Sequence, residues 1–317
     1  MSIFEYLKSQ ALQENHLDVN VEHLIEGFLP KKMISIWYAD GGNGKSYLAH
    51  GVTKRLLDAG YKVVYIDPDN PLSELQERSI GKLLIGKHPK LSYLHRSSMA
   101  DDPLEIILKI EQGALGNIYK DVVFVIDGLK DVVIDLKNDI RMARVMKALM
   151  NIREAGATIL VLHHTNKDGK AYQGSNQIRN STDTLYRLHK KPSQHGVINY
   201  FMEAQKDRGG VVDQGWRLDV DSLQLTPLDP LIAKMSSYEM ELTSSVLDVL
   251  SRKRDISQKE LLSAIGSSSD DKTARATLDR FDGILYSSKK VGKSRLFSLT
   301  PRADTNDTNL TIESEAS

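Results

Sequence analysis

The chain has 317 residues, 42 of them basic and 42 acidic, with 40% hydrophobic residues and no cysteine. That length allows one large domain and a small one, and the apolar fraction supports a real core. A formal charge of zero excludes a protein coated in positive charge while leaving room for a local nucleic-acid patch, the absence of cysteine excludes disulfide and thiol chemistry, and no apolar run approaches the roughly 18 residues of a membrane span. The start, MSIFEYLKSQ, has neither the basic opening nor the apolar centre of a secretory leader, so the expectation is a cytoplasmic protein with no membrane partner.

Residues 2–14 carry Ile3, Phe4, Leu7 and Leu12 at helical spacing. They read either as a helix packed on its own core or as an arm for a neighbouring subunit, and periodicity does not choose between the two. Met33–Tyr38 is an apolar strand. It runs into Ala39-Asp40-Gly41-Gly42-Asn43-Gly44-Lys45-Ser46, which fits the phosphate-cradling pattern [AG]-x-x-x-x-G-K-[ST]. Small residues let successive N–H groups turn inward around phosphates, the lysine reaches the β- and γ-phosphates, and the hydroxyl ligates Mg²⁺. A helix over 45–59 follows, with Leu48, Ala49, Val52, Leu56 and Leu57 on one face and Gly60 as its stop. Its N-terminus also faces the anion. The nucleotide-binding set is therefore residues 39–46 together with Tyr47, the ligand is ATP, and Ser46 is a metal ligand.

Lys62–Ile66 is a second buried strand, ending in Asp67-Pro68-Asp69-Asn70-Pro71. Carboxylates thus gather at the C-terminal edge of a sheet, where ligands bind in open α/β folds. Residues 72–84 read as helical, 91–94 as a short strand and 103–112 as helical. Asp121–Asp127 (DVVFVID) is an apolar run closed by an acid, as in a parallel sheet covered on both faces. Asp127 is placed to hold the Mg²⁺ shell through water.

Asn138 caps a long helix that Gly156 ends. Thr158–Leu162 is a fourth strand, leading into His163-His164-Thr165-Asn166-Lys167. Adjacent histidines on a strand point to opposite faces, so one metal centre rarely takes both, and a polar group here can instead touch the γ-phosphate. Residues 166–183 are polar and carry Lys167, Lys170 and Arg179. Residues 184–188, 197–205 and 214–220 are strands, the second ending in Lys206-Asp207-Arg208.

The core ends near Pro230. Residues 238–299 read as a separate small domain: a helix over 239–252, a capping box at Ser257–Glu260 opening a second, a third over 270–281 and a hairpin around Val291-Gly292. Three helices and a hairpin make a winged helix-turn-helix. Its wing, 284–302, holds Lys289, Lys290, Lys293, Arg295 and Arg302 and no acid, a candidate nucleic-acid contact. Residues 302–317 are acidic and expected to be disordered.

Taken together, ADGGNGKS, DVVFVID, LVLHHTNK, AYQGSNQIRNSTDTLYRL and EAQKDRGG stand in an order that resembles the RecA-type ATPases over about residues 25–226. Within these the chain is most similar to the plasmid- and phage-encoded hexameric helicases of the RepA type, relatives of DnaB. The resemblance implies an α/β fold with a RecA-like, mostly parallel sheet and helices on both faces, and the domain plan is 1–24, 25–230, 231–301 and 302–317. It further implies a hexameric ring with ATP between neighbours and single-stranded DNA as partner, with a replication initiator or primase as a further one. In it, Lys45, Ser46 and Asp127 hold ATP and Mg²⁺. Asp69, or else Asp67, matches a catalytic glutamate, and His164 matches a γ-phosphate sensor. Lys167, Lys170 and Arg179 match a channel loop on DNA, and Lys206 and Arg208 match basic fingers for the neighbour's ATP. A DNA helicase or translocase in plasmid or phage replication follows; the alternative is a DNA-binding ATPase switch without unwinding.

Overall fold

The structure, a computed structural model, describes residues 2–9, 11, 12, 14, 20–133, 136, 138–166, 171–191, 193, 195–292 and 294–300. Two compact units emerge, Met1–Lys234 and Met235–Ser317.

The first unit opens with α1 (Ile3–Ser9) and a small ribbon of β1 (His23–Ile25) and β2 (Leu29–Pro30). There follow β3 (Ile34–Ala39), α2 (Lys45–Asp58), β4 (Lys62–Asp67), α3 (Leu72–Glu77), β5 (Leu91–His95), α4 (Pro103–Gln112), β6 (Val122–Asp127), α5 (Leu129–Val132), α6 (Asp139–Glu154), β7 (Thr158–His164), α7 (Asn176–Ser181), β8 (Thr184–Lys191), β9 (Val197–Lys206), β10 (Gln214–Asp219), β11 (Leu225–Leu228) and α8 (Pro230–Ala233). One sheet runs β11-β10-β9-β8-β3-β7-β6-β4-β5. From β8 to β5 every pairing is parallel, and β9, β10 and β11 extend it antiparallel. The strand that feeds the phosphate loop sits between β8 and β7, which is the RecA-like arrangement.

Both faces of this sheet are buried, so its strands read as continuous apolar runs, yet alternate residues part company. Trp37 and Ala39 join Leu48, Val52 and Leu56 of α2 on one face, while Ile34, Ile36 and Tyr38 join Met142, Val145 and Leu149 of α6 on the other. Phe28 of the ribbon closes the first face, its ring 5.0 Å from that of Trp37 and 5.2 Å from those of Tyr186 and Trp216.

Local departures from the sequence reading have local causes. The helix expected over 72–84 breaks at Ser79, whose φ of 54° is left-handed, and resumes as a π-helical turn, Gly81–Ile85. The polar stretch 166–183 contains α7, which Ser175 caps by accepting from the Gln177 N–H. In α1 the apolar side chains face out, Ile3 at 72% and Phe4 at 73% exposure, which overturns the reading of a helix packed on its own core.

The second unit holds α9 (Ser237–Arg252), β12 (Ile256–Ser257), α10 (Gln258–Ala264), α11 (Lys272–Arg280), β13 (Tyr286–Val291) and β14 (Ser294–Leu299), with strand order β12-β14-β13. Capping boxes at Ser236/Glu239 and Ser257/Glu260 start its first two helices. Val246, Leu250, Leu261, Leu278, Phe281, Tyr286 and Phe297 form its interior. The unit boundary lies a few residues beyond Pro230, because α8 packs against β9 and β10 of the first unit. Residues 302–317 lie outside the described residues.

Candidate nucleotide site

The phosphate loop joins β3 to α2, and its shape follows from its glycines. Gly44 has φ of 73°, a left-handed conformation that side chains resist, and a Cβ there would stand 2.6 Å from the Tyr200 hydroxyl. That hydroxyl donates to the Gly44 carbonyl at 3.0 Å, so β9 braces the loop from behind. Lys45 is buried and donates to the carbonyls of Ala39 and Asp40, both at 3.0 Å. Three N–H donors with two used leave one for an anion in the loop. Burial lowers the Lys45 pKa, with Asp127, Asp69 and Asp40 pulling the other way. Thr165 holds the Asp40 carboxylate through its hydroxyl.

Asp127 ends β6 two strands away. Its Oδ1 accepts from the Ser46 hydroxyl at 3.1 Å, and its Oδ2 accepts from Tyr65 at 2.8 Å and from the Asn70 carboxamide at 3.0 Å. Burial, and then the neighbouring Asp67, push its pKa far above the ordinary carboxylate range, while these three donors pull it down. His50, Asp67 and Asp127 bring ligand atoms within 4.8 Å of one another. Neutral donors already bridge them: the Tyr93 hydroxyl lies between His50 and Asp67, and Asn70 between Asp67 and Asp127. This is a hydrogen-bonded cluster, with His50 kept neutral at a pKa of about 3 by burial.

The two candidates for the base separate cleanly. Asp67 is fully buried and accepts from the Tyr93 hydroxyl, the N–H groups of Asp69 and Asn70, and the Asn70 side chain. Asp69 is exposed, with one cationic partner, Lys130, at 3.1 Å. A group that must receive a proton from water needs free lone pairs and access, and only Asp69 has them. His164, half-buried at the end of β7, has its pKa lowered to about 4 by burial and then by Lys45 and Lys130, so it is neutral. His163 points the other way, fully buried, donating to the Gln173 carbonyl. The two histidines do lie on opposite faces.

The remaining predicted residues lie elsewhere. Lys206 turns inward, donating to the carbonyls of Arg179 and Thr182 at 2.5 and 2.6 Å, where it closes the end of α7. Arg208 is 59% exposed, 3.9 Å from an Asp183 carboxylate that Arg153 already holds at 2.9 Å. Arg179 joins this corner, its guanidinium reaching the Gln205 carbonyl at 3.4 Å. Lys167, Lys170 and Lys293 lie outside the described residues. In the second unit Lys289 pairs with Asp255 at 2.7 Å and Arg295 with Asp279 and Asp282, so acids distant in sequence offset the wing's charge. Lys290 is exposed.

Sequence reasoning passed over Lys130, Asn70, Tyr93 and Tyr200. Lys130 had a signal, three residues past Asp127 on the same strand end. Asn70 had a weaker one, inside the Asp/Pro run. The tyrosines had none beyond strand periodicity.

A left-handed glycine loop on a buried lysine, a hydroxyl on a strand-end acid and this strand order define a RecA-type P-loop ATPase. A family model described as an AAA domain matches residues 2–170, more than half of the chain, and the protein belongs to that family. Nucleotide binding follows from that membership. No curated protein matches the sequence. Among solved structures, the chain is similar to a helicase ATPase domain (15% identity, 72% of this chain and 99% of that one, TM-score 0.49). It is also similar to the flagellar accessory protein FlaH from Methanocaldococcus jannaschii (15%, 69% and 97%, 0.46) and to the RadB recombinase (15%, 64% and 93%, 0.46). No helix among the described residues is long and apolar enough to cross a membrane.

Proposed function

We infer that this ATPase is a motor on single-stranded DNA, working as a homo-oligomeric ring, with a hexamer as the expected size and plasmid or phage DNA replication as its setting. Mg²⁺ accompanies ATP, held by the Ser46 hydroxyl directly and by Asp127 through water. Asp69 takes a proton from the attacking water, and neutral His164 donates to the γ-phosphate.

One observation carries the shared-site reading. β9 runs antiparallel to β8, with Lys206 opposite Leu185, and β8 starts beside the start of β3, with Thr184 opposite Ser35. The 206–208 corner therefore lies at the end of the sheet away from the phosphate loop. The four steps of β3 from Ser35 to Ala39 alone span about 13 Å, so Arg208 cannot serve its own subunit's phosphates. An exposed arginine there can act on a neighbour's, where a cation arriving at the γ-phosphate raises the rate by roughly 10³ or more. Arg208 is the finger in this reading, and Lys206 fixes α7 beside it.

The second unit's order of helix, strand, two helices and hairpin supports a winged helix-turn-helix, with Lys290 as the described wing cation free for DNA or for an initiator protein. Lys167 and Lys170 remain the loop contacts to the strand.

Mixing inactive Lys45→Ala and Arg208→Ala proteins tests the reading. Restored DNA-stimulated hydrolysis supports a site shared between subunits, and no restoration at any ratio overturns it. Unwinding of a forked duplex by the native protein supports the motor. Strand-stimulated hydrolysis without unwinding assigns the chain to DNA-responsive switches instead.

A further inference from the structure

Asn70 is the most heavily used side chain around the site, and the chemistry above gives it no task. Its carboxamide N–H groups donate to Asp67 Oδ1 at 2.9 Å and Asp127 Oδ2 at 3.0 Å. Its Oδ1 accepts from Arg78 at 3.3 Å, its backbone N–H donates to Asp67 at 3.0 Å, and its carbonyl accepts from His95 at 2.8 Å. The amide can face only this way, because the opposite flip would aim its oxygen at two carboxylates. Arg78 in turn lies over the Tyr47 ring, 4.5 Å from its centroid, next to Ser46. The far anchor is β5: Tyr93 donates to Asp67 at 2.6 Å and stacks on Tyr65, whose own hydroxyl holds Asp127.

We propose that Asn70 is a positioning residue of the ATPase reaction, tying the turn that carries Asp69 to the metal-binding acid Asp127 through a neutral, two-pronged bridge. The inference rests on the ATPase reading and on Asp69 as the base. Two buried carboxylates repel, and a donor with two N–H groups is the neutral side chain that can hold both at once. Asp69, by contrast, is exposed and has the single partner Lys130 among the cations. Its placement therefore comes from its backbone, and that backbone hangs on Asp67 on one side and Asn70 on the other, with Pro68 and Pro71 restricting the turn. An aspartate base is also one methylene shorter than a glutamate, so the turn must bring its backbone closer to the attacking water, and small displacements cost rate steeply.

The test uses the full-length protein with saturating DNA, comparing Asn70→Ala, Asp69→Asn, the double variant and the isosteric Tyr93→Phe. Asn70→Ala should lower kcat about 10- to 100-fold and raise the Mg²⁺ concentration for half-maximal rate. Affinity for a non-hydrolysable ATP analogue should stay within about threefold. Tyr93→Phe, which keeps the packing, should lower kcat in the same direction by about three- to tenfold. The decisive readout is additivity: Asn70→Ala in the Asp69→Asn background should cost almost nothing further, because the bridge acts through the base. Multiplying losses in the double variant, or native kcat in Asn70→Ala while Asp69→Asn is inactive, overturns the inference alone. Native kcat in Asp69→Asn removes the base assignment, and the inference with it.

Discussion

The two ends of the large sheet handle charge in opposite ways. Where β4 and β6 end, two buried carboxylates are knit together by uncharged donors, Tyr65, Tyr93, Asn70 and Ser46, and the nearest cation, Lys45, is spent on carbonyls. At the opposite end, beside the start of β8, three cations gather, Arg179, Lys206 and Arg208, around one acid already paired with Arg153. One end lacks positive charge and the other has an excess of it. Neither end can correct the other within one chain, since a strand's length separates them. A second copy, stacked head to tail, corrects both, and such heterologous contacts generate rings or helical filaments.

The sharpest way to break this contrast is to remove a cation from each end. Lys45→Ala should abolish hydrolysis, and Arg208→Ala should lower it by roughly 10³-fold while leaving nucleotide affinity intact. Equal nucleotide affinity in the two variants would erase the distinction between a residue that binds phosphate and one that arrives from outside.

Buried histidine gives the next effect. Burial lowers the His163 pKa to about 4, against about 6.5 when unfolded, so the unfolded chain binds the extra proton between those values. Its contribution to stability is present above pH 6.5 and is lost as pH falls towards 4, by at most about 3 kcal/mol. Asp127 titrates with the opposite sign, since its raised pKa costs stability at neutral pH. The comparison is therefore between native and His163→Gln urea midpoints across pH 7 to 4.5, with the native profile falling more steeply.

Gly44→Ala should destabilise by about 2 kcal/mol through its left-handed backbone and weaken nucleotide binding as the added methyl meets Tyr200. At the far corner, Lys206→Met should cost about 1 kcal/mol by uncapping α7, whereas Arg208→Ala should leave the denaturation midpoint unchanged. Equal stability losses at 206 and 208 would mean that Arg208, too, serves its own fold.

Motif residues were legible because the chemistry demands a fixed local spacing: glycines, lysine and hydroxyl within eight positions, and an acid closing an apolar run. His163 and His164 were legible as a divided pair because strand geometry alternates. Lys206 and Arg208 look alike in sequence, and only the carbonyls at the end of α7 tell them apart. The wing looked purely basic because its acids, Asp255, Asp279 and Asp282, lie outside it in the chain.

The amino-acid sequence by itself determined the class of protein, since a phosphate loop between strand and helix is a contiguous object whose N–H groups need no distant partner. It also determined the ends of most helices, through caps that reach only a few residues. Only the tertiary structure decided which aspartate is free to act, Asp69, and which is locked away, Asp67. Those two residues share one turn, and their roles differ because burial and the donors from β5 fall on one and not on the other.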